Sequence, residues 1–162
     1  MQSIAIVADT HIPSRASAIP TWVETAMRRA DVVVHAGDFD SDEAFERVES
    51  IASELIAVRG NTDPPLGLPE VTTLEVEGAT FLITHNAGPL RGYRDRLRTL
   101  VSDHDGVDLV VAAHSHEATD ERLDGHRFVN PGSATGAPPA TEASIAEATV
   151  DGDHVTVELR TA

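Results

Sequence analysis

The sequence predicts an α/β fold in which strands and helices alternate in the first part of the chain and β-hairpins follow in the second part. Short apolar runs at residues 3–8 and 31–38 have the composition of buried strands, and segments with helical spacing separate them. Later in the chain, Asp124-Gly125 and Asp151-Gly152 lie between alternating segments, which is typical of hairpin turns.

Local patterns justify each element in turn. Ser41 precedes a segment with apolar residues on one helical face, so we expect it to be an N-cap. Pro20 is tolerated in a first helical turn, and Glu77-Gly78 has the composition of a hairpin turn. On these patterns the predicted elements are strands at 3–8, 31–38, 55–58 and 109–113, helices at 18–29, 41–53 and 90–101, and a hairpin within 72–85.

Length and composition favour one domain that covers residues 1–162. A chain of 162 residues buries roughly 70% of its unfolded surface, which is enough for a core without cross-links. The absence of cysteine excludes disulfides and thiolate metal sites. Any metal ion must therefore be held by nitrogen or oxygen ligands from His, Asp, Glu, Asn or the backbone.

The charge of the chain is strongly negative. There are 27 acidic against 12 basic residues, which gives a formal net charge of −15, and every basic residue is arginine. This balance predicts a protein adapted to high salt, where self-repulsion between carboxylates is screened. A GC-rich genome that favours arginine codons, combined with an ordinary acidic protein, is the alternative. Broad binding to a nucleic-acid backbone is not expected, because such binding needs clustered basic residues.

The first residues predict no secretory signal, since the segment has no basic start and Asp9 interrupts a short apolar run. No stretch of about 18 apolar residues is present, so we expect no membrane span. A soluble cytoplasmic protein is the resulting expectation, and both a monomer and a homo-oligomer remain open.

Groups that bind metal ions follow five predicted strands, at the points where those strands end. If these ends share one sheet edge, the side chains converge and could hold a pair of metal ions. Two metal ions close together repel each other, so a carboxylate must lie between them. Asp38 is the natural bridging carboxylate. Each motif alone is weak, whereas the ordered set indicates a metal site; its residues are Asp9, His11, Asp38, Asn61, His85, His114 and His116.

The motif order D-x-H, G-D, G-N-x-D, H and H-x-H, followed by N-P-G-S at residues 130–133, resembles the calcineurin-like metallophosphoesterase superfamily. Within it, the chain is similar to the small single-domain group of YfcE-type phosphodiesterases and the retromer subunit vacuolar sorting protein 29. The resemblance implies a four-layer α/β/β/α sandwich of two mixed sheets with metals at one sheet edge. Together with the acidic composition, it favours a halophilic archaeon as the source.

The resemblance also implies roles for the residues. One divalent ion would be held by Asp9, His11, Asp38 and His116, and the other by Asp38, Asn61, His85 and His114. A water or hydroxide between the ions would attack phosphorus in line, which makes Asp38, Asn61 and His85 the catalytic candidates. Manganese is favoured, while nickel, iron, zinc or cobalt also fit the ligands. The substrate would be a small phosphodiester or phosphomonoester, and the alternative is a weak or inactive scaffold.

Two positions depart from the pattern of the superfamily. Thr62 occupies the place where many members have a histidine that assists the leaving group, so good leaving groups should be hydrolysed best. Asn86 follows His85 where the small group usually has glycine. Asn86 either contacts substrate or tolerates a left-handed backbone, and the second interpretation is favoured.

Several further residues carry two interpretations each. Arg59 could contact a substrate phosphate, although a salt bridge is favoured. Asp63 is either a carboxylate that orients a metal ligand or a turn residue, and His35 either lies behind the ligands or simply packs. Asp40 either orients a metal ligand or caps the helix that follows it, and the structural capping role is favoured. Asn130 and Ser133 are expected to fix a loop near the metals, and the arginine-rich helix is interpreted as an exposed face.

Overall fold

The computed structural model describes all residues from Met1 to Ala162 and contains two five-stranded sheets and three helices. The strand order is β10-β9-β1-β2-β3 in the first sheet and β4-β5-β6-β8-β7 in the second. The elements are β1 (Gln2–Val7), α1 (Thr21–Arg29), β2 (Val32–His35), α2 (Asp42–Ile51), β3 (Leu55–Ala57), β4 (Val71–Val76), β5 (Ala79–Thr84), α3 (Tyr93–Ser102), β6 (Leu109–Ala112), β7 (Thr119–Leu123), β8 (His126–Asn130), β9 (Ser144–Asp151) and β10 (His154–Thr161).

Both sheets are mixed, with a parallel centre. Strands β1, β2 and β3 are parallel neighbours, as the alternation of strands and helices predicts. In the second sheet β5, β6 and β8 are parallel, and β4 and β7 pair antiparallel at the two edges. The three predicted hairpins are present as β4–β5, β7–β8 and β9–β10. Because neighbouring parallel strands end on the same side, the functional groups that follow them lie at one end of each sheet.

Three apolar clusters separate four layers. The largest contains 19 buried residues between the two sheets, including Ile4 and Ile6 of β1. Alternate residues of the same strand, Ala5 and Val7, belong to a cluster of 15 between the first sheet and helices α1 and α2. A third cluster of 6 lies between the second sheet and α3. Strand β1 is apolar throughout because both of its faces are covered, and the expected α/β/β/α sandwich is confirmed.

Element ends differ from the predicted ones for local reasons. Helix α1 begins at Thr21 rather than residue 18, because Pro20 disfavours helical backbone at the residue before it. Helix α3 begins at Tyr93, after Gly92 with a φ of 86°. The side chain of Ser41 accepts a hydrogen bond from the Ala44 N–H, which confirms the predicted N-cap of α2. None of the three helices combines the length and apolarity needed to cross a membrane.

Two glycines bring the ends of β2 and β3 into close contact. The predicted second strand ends early, at His35, because Gly37 turns the chain with a φ of 98°. Gly60 has no positive φ and is needed here for space. A Cβ atom at Gly60 would lie 2.0 Å from Asp38 Oδ1 and 2.4 Å from Asp38 N. The Asp38 backbone and carboxylate therefore occupy the space that any larger residue at position 60 would need.

We predict that Gly60→Ala displaces Asp38 and lowers the free energy of unfolding by roughly 1–3 kcal/mol, since overpacking forces the backbone apart. Urea unfolding followed by circular dichroism measures this. Gly67→Ala is the control, because the space around Gly67 is open and only its left-handed φ of 75° is strained. A Gly60→Ala variant that unfolds no earlier than Gly67→Ala would contradict the close contact.

Candidate metal centre

The carboxyl ends of five strands from both sheets meet at one end of the sandwich. Segments after β1, β2 and β3 bring the polar groups of the first sheet, and segments after β5 and β6 bring those of the second. The expectation of a single sheet edge is thus wrong in detail, because the stacking of two sheets creates the cluster. The residues brought together are Asp9, His11, Asp38, Asn61, His85, His114 and His116.

Burial distinguishes the carboxylates at this site from all others. Of the 27 acidic residues, only Asp9 and Asp38 are buried, with exposed fractions of 0% and 2%. Removing a carboxylate from water is costly unless positive charge or hydrogen bonds compensate for it. Carboxylates are therefore buried at one place only in this protein, beside four histidine side chains.

Two groups of ligand atoms are present, with Asp38 between them. In the first group, Asp9, His11 and His116 offer atoms within 4.8 Å of one another, and Asp38, His85 and His114 do the same in the second. Asp38 Oδ2 lies 3.5 Å from His11 Nε2 and 3.1 Å from His85 Nε2. Separations of roughly 3–3.5 Å are those of ligands that share an ion at about 2.1 Å.

The hydrogen bonds of the four imidazole rings show which nitrogens are free. His11 Nδ1 donates to the Asp40 carboxylate at 2.8 Å, and His116 Nδ1 donates to the Ala137 carbonyl at 2.8 Å. His85 Nδ1 donates to the Ala36 carbonyl. His114 Nε2 donates to the Gly88 carbonyl at 2.8 Å. Each ring therefore fixes its proton on one nitrogen and turns the other toward the cluster.

The nitrogens that face the cluster meet one another and carry lone pairs. His11 Nε2 and His116 Nε2 lie 3.1 Å apart. His85 Nε2 lies 3.2 Å from His114 Nδ1 and 3.0 Å from Asn61 Oδ1. Neutral rings in these tautomers have no proton to place between such atoms, so the contacts are repulsive. The cluster needs positive charge at its centre, supplied by protons or by metal cations.

Asp9 provides an independent sign that a cation belongs here. Its Oδ1 atom is the one buried side-chain polar atom without a hydrogen-bond partner. The atom lies 3.5 Å from His11 Nε2 and 3.4 Å from His116 Nε2. A buried unpaired carboxylate oxygen beside two free imidazole nitrogens fits a divalent cation held by nitrogen and oxygen ligands.

Electrostatic coupling prepares these groups for cation binding. Burial opposes the charged form of Asp9, but the neighbouring His11, His116 and His85 rings outweigh it and lower its pKa. The pKa of Asp38 is lowered despite burial by its contact with His85. Burial disfavours charge on His85, yet Asp38 and Asp9 raise the pKa of this ring. Both carboxylates are anions at neutral pH, and protons compete with a metal ion for the His85 nitrogen.

The backbone at the site is held in an uncommon conformation. Nine residues other than glycine have positive φ, and seven of them lie at or beside the cluster. Left-handed backbone costs roughly 1–2 kcal/mol per residue, and it persists where the surroundings enforce it. Glu77 and Asp124 are the two exceptions, in hairpin turns; the seven are Asp9, His11, Asp38, Asp40, Asn86, His114 and His116.

Asp63 organises the loop that carries Asp38. Its carboxylate accepts hydrogen bonds from the N–H groups of Asp38, Phe39 and Asp40, and from that of Gly60. The interpretation of Asp63 as a carboxylate that orients a metal ligand is closer to the structure than that of a turn residue. Asp63 acts, however, on the backbone of the ligand loop and not on a ligand side chain. It joins the loop after β2 to the loop after β3.

Asp40 orients the candidate ligand His11, which is the less favoured of its two sequence-based interpretations. We expected a capping role because a helix follows, but Ser41 caps that helix and Asp40 accepts a hydrogen bond from His11. Ser14 and Thr62 also donate to its carboxylate. A carboxylate behind a metal-binding histidine fixes the tautomer of the ring. The sequence gives one signal for this role, which is an acidic residue two positions after Asp38.

His35 lies behind the ligands and packs, without reaching the cluster. Its ring stacks on Phe39 with centroids 3.6 Å apart. Its Nδ1 accepts a hydrogen bond from the Gly37 N–H, so Nε2 donates to the Thr10 hydroxyl. Burial lowers the pKa of His35 to about 3, so the ring is neutral. The packing interpretation agrees with this environment.

The N-P-G-S segment holds the first and last ligand loops together. The Ser133 hydroxyl donates to the Asp9 carbonyl, and Asn130 Nδ2 donates to the Ser115 hydroxyl between His114 and His116. The expectation that this segment fixes a loop near the metals agrees with these bonds. Tyr93 adds to the same network by donating to the Ala113 carbonyl at 2.6 Å.

Residues considered for substrate contact have mixed environments. Asn86 has a φ of 60°, and its amide is engaged by the Tyr93 carbonyl and Arg96, which supports the backbone interpretation. Arg59 forms none of the salt bridges of the protein, so the expected ion pair is wrong. In the arginine-rich helix, Arg94 and Arg98 pair with carboxylates, as an exposed face does.

Stacked mixed sheets with a cluster of histidine and carboxylate side chains at their common end define a candidate metal-binding protein. The model of the calcineurin-like phosphoesterase superfamily domain matches residues 2–153 of the chain. The protein therefore belongs to the calcineurin-like phosphoesterase superfamily.

Individual proteins show the same relationship. A probable metallophosphoesterase of Methanothermobacter thermautotrophicus is 32% identical over 158 residues, which cover 96% of this chain and 90% of the relative. Vps29 of Chaetomium thermophilum has the same fold, with a TM-score of 0.85 at 24% identity over 99% of this chain and 98% of the other. Entamoeba histolytica Vps29 in complex with zinc gives a TM-score of 0.77 at 22% identity over 99% and 98% of the two chains.

We predict that Asp40→Ala weakens metal binding by roughly 10–100-fold, because His11 loses the acceptor that fixes its ring. Calorimetric titration of chelator-stripped protein with Mn²⁺ measures the affinity. Asp42→Ala is the matched control, since Asp42 is an exposed carboxylate in the first turn of α2. Equal affinities for the Asp40→Ala variant and the wild type would show that Asp40 does not support a ligand.

Proposed function

We propose that the protein is a phosphodiesterase that depends on two divalent metal ions. The observation that carries this proposal is the set of free imidazole nitrogens turned toward two buried carboxylates, with Asp38 between two ligand groups. One ion would be held by Asp9, His11, Asp38 and His116, and the other by Asp38, Asn61, His85 and His114. The whole chain, residues 1–162, would act as one catalytic domain.

Bound divalent ions would supply an activated water for in-line attack on phosphorus and would neutralise the phosphate oxygens. Residues of the chain determine where this happens. Asp38 sets the spacing of the two ligand groups, and the Thr62 N–H donates to Asp38 Oδ1 at 2.9 Å, which fixes the carboxylate. His114 Nε2 is committed to the Gly88 carbonyl, so it has no free N–H for a leaving group. Asn61 is exposed and completes the rim that substrate meets.

Proton donation to the leaving group is the least well supported step of the proposed reaction. The Thr62 hydroxyl donates to the Asp40 carboxylate and is not an acid of suitable pKa. The site therefore favours esters whose leaving group is stable as an anion, such as aryl phosphodiesters, over alkyl esters. Small phosphodiesters or phosphomonoesters with such leaving groups are the proposed substrate class.

Nitrogen and oxygen ligands without sulfur fit manganese, and also nickel, iron, zinc or cobalt. The zinc complex of the Entamoeba relative supports metal binding at this fold. Manganese is the ion we propose for activity. The composition supports a cytoplasmic protein of a salt-adapted, halophilic source that does not bind nucleic-acid backbone, because exposed carboxylates dominate its surface.

A scaffold that binds protein partners without catalysis is the second candidate, and the similarity to Vps29 favours it. Two observations speak against it. All seven candidate ligand positions carry side chains able to bind metal, and the only exposed large apolar residues are Met1 and Leu90. A protein-binding surface usually contains a larger contiguous apolar patch.

We predict that Asp38→Asn lowers hydrolysis of bis-p-nitrophenyl phosphate at least about 100-fold while the fold persists, because the two ligand groups lose their shared anion. Release of p-nitrophenolate is measured for chelator-treated protein with Mn²⁺ restored. Asp153→Asn, in the exposed β9–β10 turn, is the control. Full activity of Asp38→Asn would rule out the bridging assignment, and no activity of folded, metal-loaded wild type would favour the scaffold.

We also predict that molar KCl stabilises the protein relative to dilute buffer, since screening weakens repulsion within a chain of net charge −15. Thermal unfolding at several KCl concentrations measures the effect. An Asp103→Asn/Asp105→Asn double variant, which removes two neighbouring exposed carboxylates, should narrow the difference. A melting temperature that does not rise with KCl would contradict salt adaptation.

A further inference from the structure

A cleft of about 580 Å³ extends from the second ligand group across the surface of the protein. Asn61 and His85 line one part of the cleft, so it opens directly onto the candidate metal centre. Clefts of roughly 300–1,000 Å³ accommodate whole small molecules. The cleft therefore has room for the part of a substrate that is not hydrolysed.

Two arginines line this cleft, each connected to a candidate ligand. Arg59 stands two residues before Asn61, and its backbone N–H is fixed by the Pro69 carbonyl at 2.8 Å. Arg96 reaches over from α3, and its Nε donates to the Asn86 side chain, next to His85. Both arginines thus line the cleft beside the centre, on two separate elements.

Neither arginine has a carboxylate partner, although the chain has 27 acidic residues. Half of the arginines, including Arg94 and Arg98 of the same helix as Arg96, form salt bridges. Arg96 instead bonds to neutral oxygens, the Asn86 amide and the Pro89 carbonyl at 2.9 Å. These bonds fix the guanidinium group and leave its charge uncompensated.

The cleft wall contains a single acidic residue, Glu70, which forms no salt bridge with either arginine. In a chain of net charge −15, a wall with more cationic than anionic groups is a local reversal of sign. Such a reversal attracts an anionic group on a ligand, and arginine binds phosphate and carboxylate through paired hydrogen bonds.

We propose that Arg59 and Arg96 bind a second anionic group of the substrate, distinct from the phosphate that is hydrolysed. This inference rests on the proposed function, because it assumes that the scissile phosphate lies at the metal centre. The substrate class is accordingly a phosphodiester that carries a further phosphate or carboxylate on the part lying in the cleft.

A matched pair of chromogenic substrates tests the proposal. The p-nitrophenyl ester of thymidine 5′-phosphate carries one anionic phosphate, and its 3′-phosphorylated derivative carries a second. In both, water adds to phosphorus as the bond to p-nitrophenolate breaks, which yields thymidine 5′-phosphate or its 3′-phosphorylated form and one proton. Bis-p-nitrophenyl phosphate reports on the metal centre alone.

The Mn²⁺-loaded wild type is expected to have a lower KM for the 3′-phosphorylated substrate than for its partner. Arg59→Gln should raise that KM roughly three- to tenfold, leaving kcat and the KM of the partner substrate nearly unchanged. Arg59→Lys should restore part of the difference. Glu70→Gln should lower the KM, because it removes the opposing charge from the same wall.

Arg91→Gln is the matched control, since Arg91 is an exposed arginine without a salt bridge that does not line the cleft. Equal KM values of the wild type for the two substrates would overturn the proposal. An Arg59→Gln variant that changes the KM of both substrates equally would also overturn it. In either case, turnover of bis-p-nitrophenyl phosphate would still support the proposed function.

If bis-p-nitrophenyl phosphate is not hydrolysed, the proposed function fails and the cleft is tested by binding. Calorimetric titration with thymidine 3′,5′-bisphosphate then compares wild type with Arg59→Gln and Arg91→Gln. Weaker binding only in Arg59→Gln supports an anion site in the cleft, and equal binding in all three proteins overturns it.

Discussion

The mutual repulsion of buried lone pairs is the constraint on which the rest of this structure depends. Four imidazole nitrogens, two carboxylates and an amide oxygen face one another at contact distances, and Asp9 Oδ1 has no donor at all. Such an arrangement is stable only around positive charge. The surrounding bonds hold it in place: Asp63 fixes the loop of Asp38, Asp40 orients His11, and Ser133 holds the Asp9 backbone.

The two ligand groups each combine residues from both sheets. Asp9 and His11 follow β1 of the first sheet, whereas His116 follows β6 of the second. Asp38 likewise follows β2, and its partners His85 and His114 follow β5 and β6. Apart from the apolar cluster between the sheets, a cation held by either ligand group would link the two halves. Binding of a metal ion would therefore stabilise the stacking of the sheets, because neither sheet carries a complete ligand group.

Charge is distributed in the molecule according to function. Exposed carboxylates cover the surface and make the chain strongly acidic, while the only buried ones lie at the centre. Arginines on the outer face of α3 pair with neighbouring carboxylates, but Arg96 turns toward the centre and binds neutral oxygens instead. The proposed anionic substrate would thus approach an acidic protein through a cleft beside the centre whose wall is more cationic than anionic.

The sequence by itself determined the elements and the ligand types, because both depend on local chemistry. Apolar runs specify buried strands, Ser41 specifies a helix start, and Asp, His and Asn at strand ends specify a metal site. Tertiary structure decided the features that depend on distant residues. These are the meeting of the two sheets at one end and the left-handed backbone of the ligands. The hydrogen bond from His11 to Asp40, 29 residues away along the chain, is a third such feature. No local pattern encodes these contacts, since each exists only after the sheets have stacked.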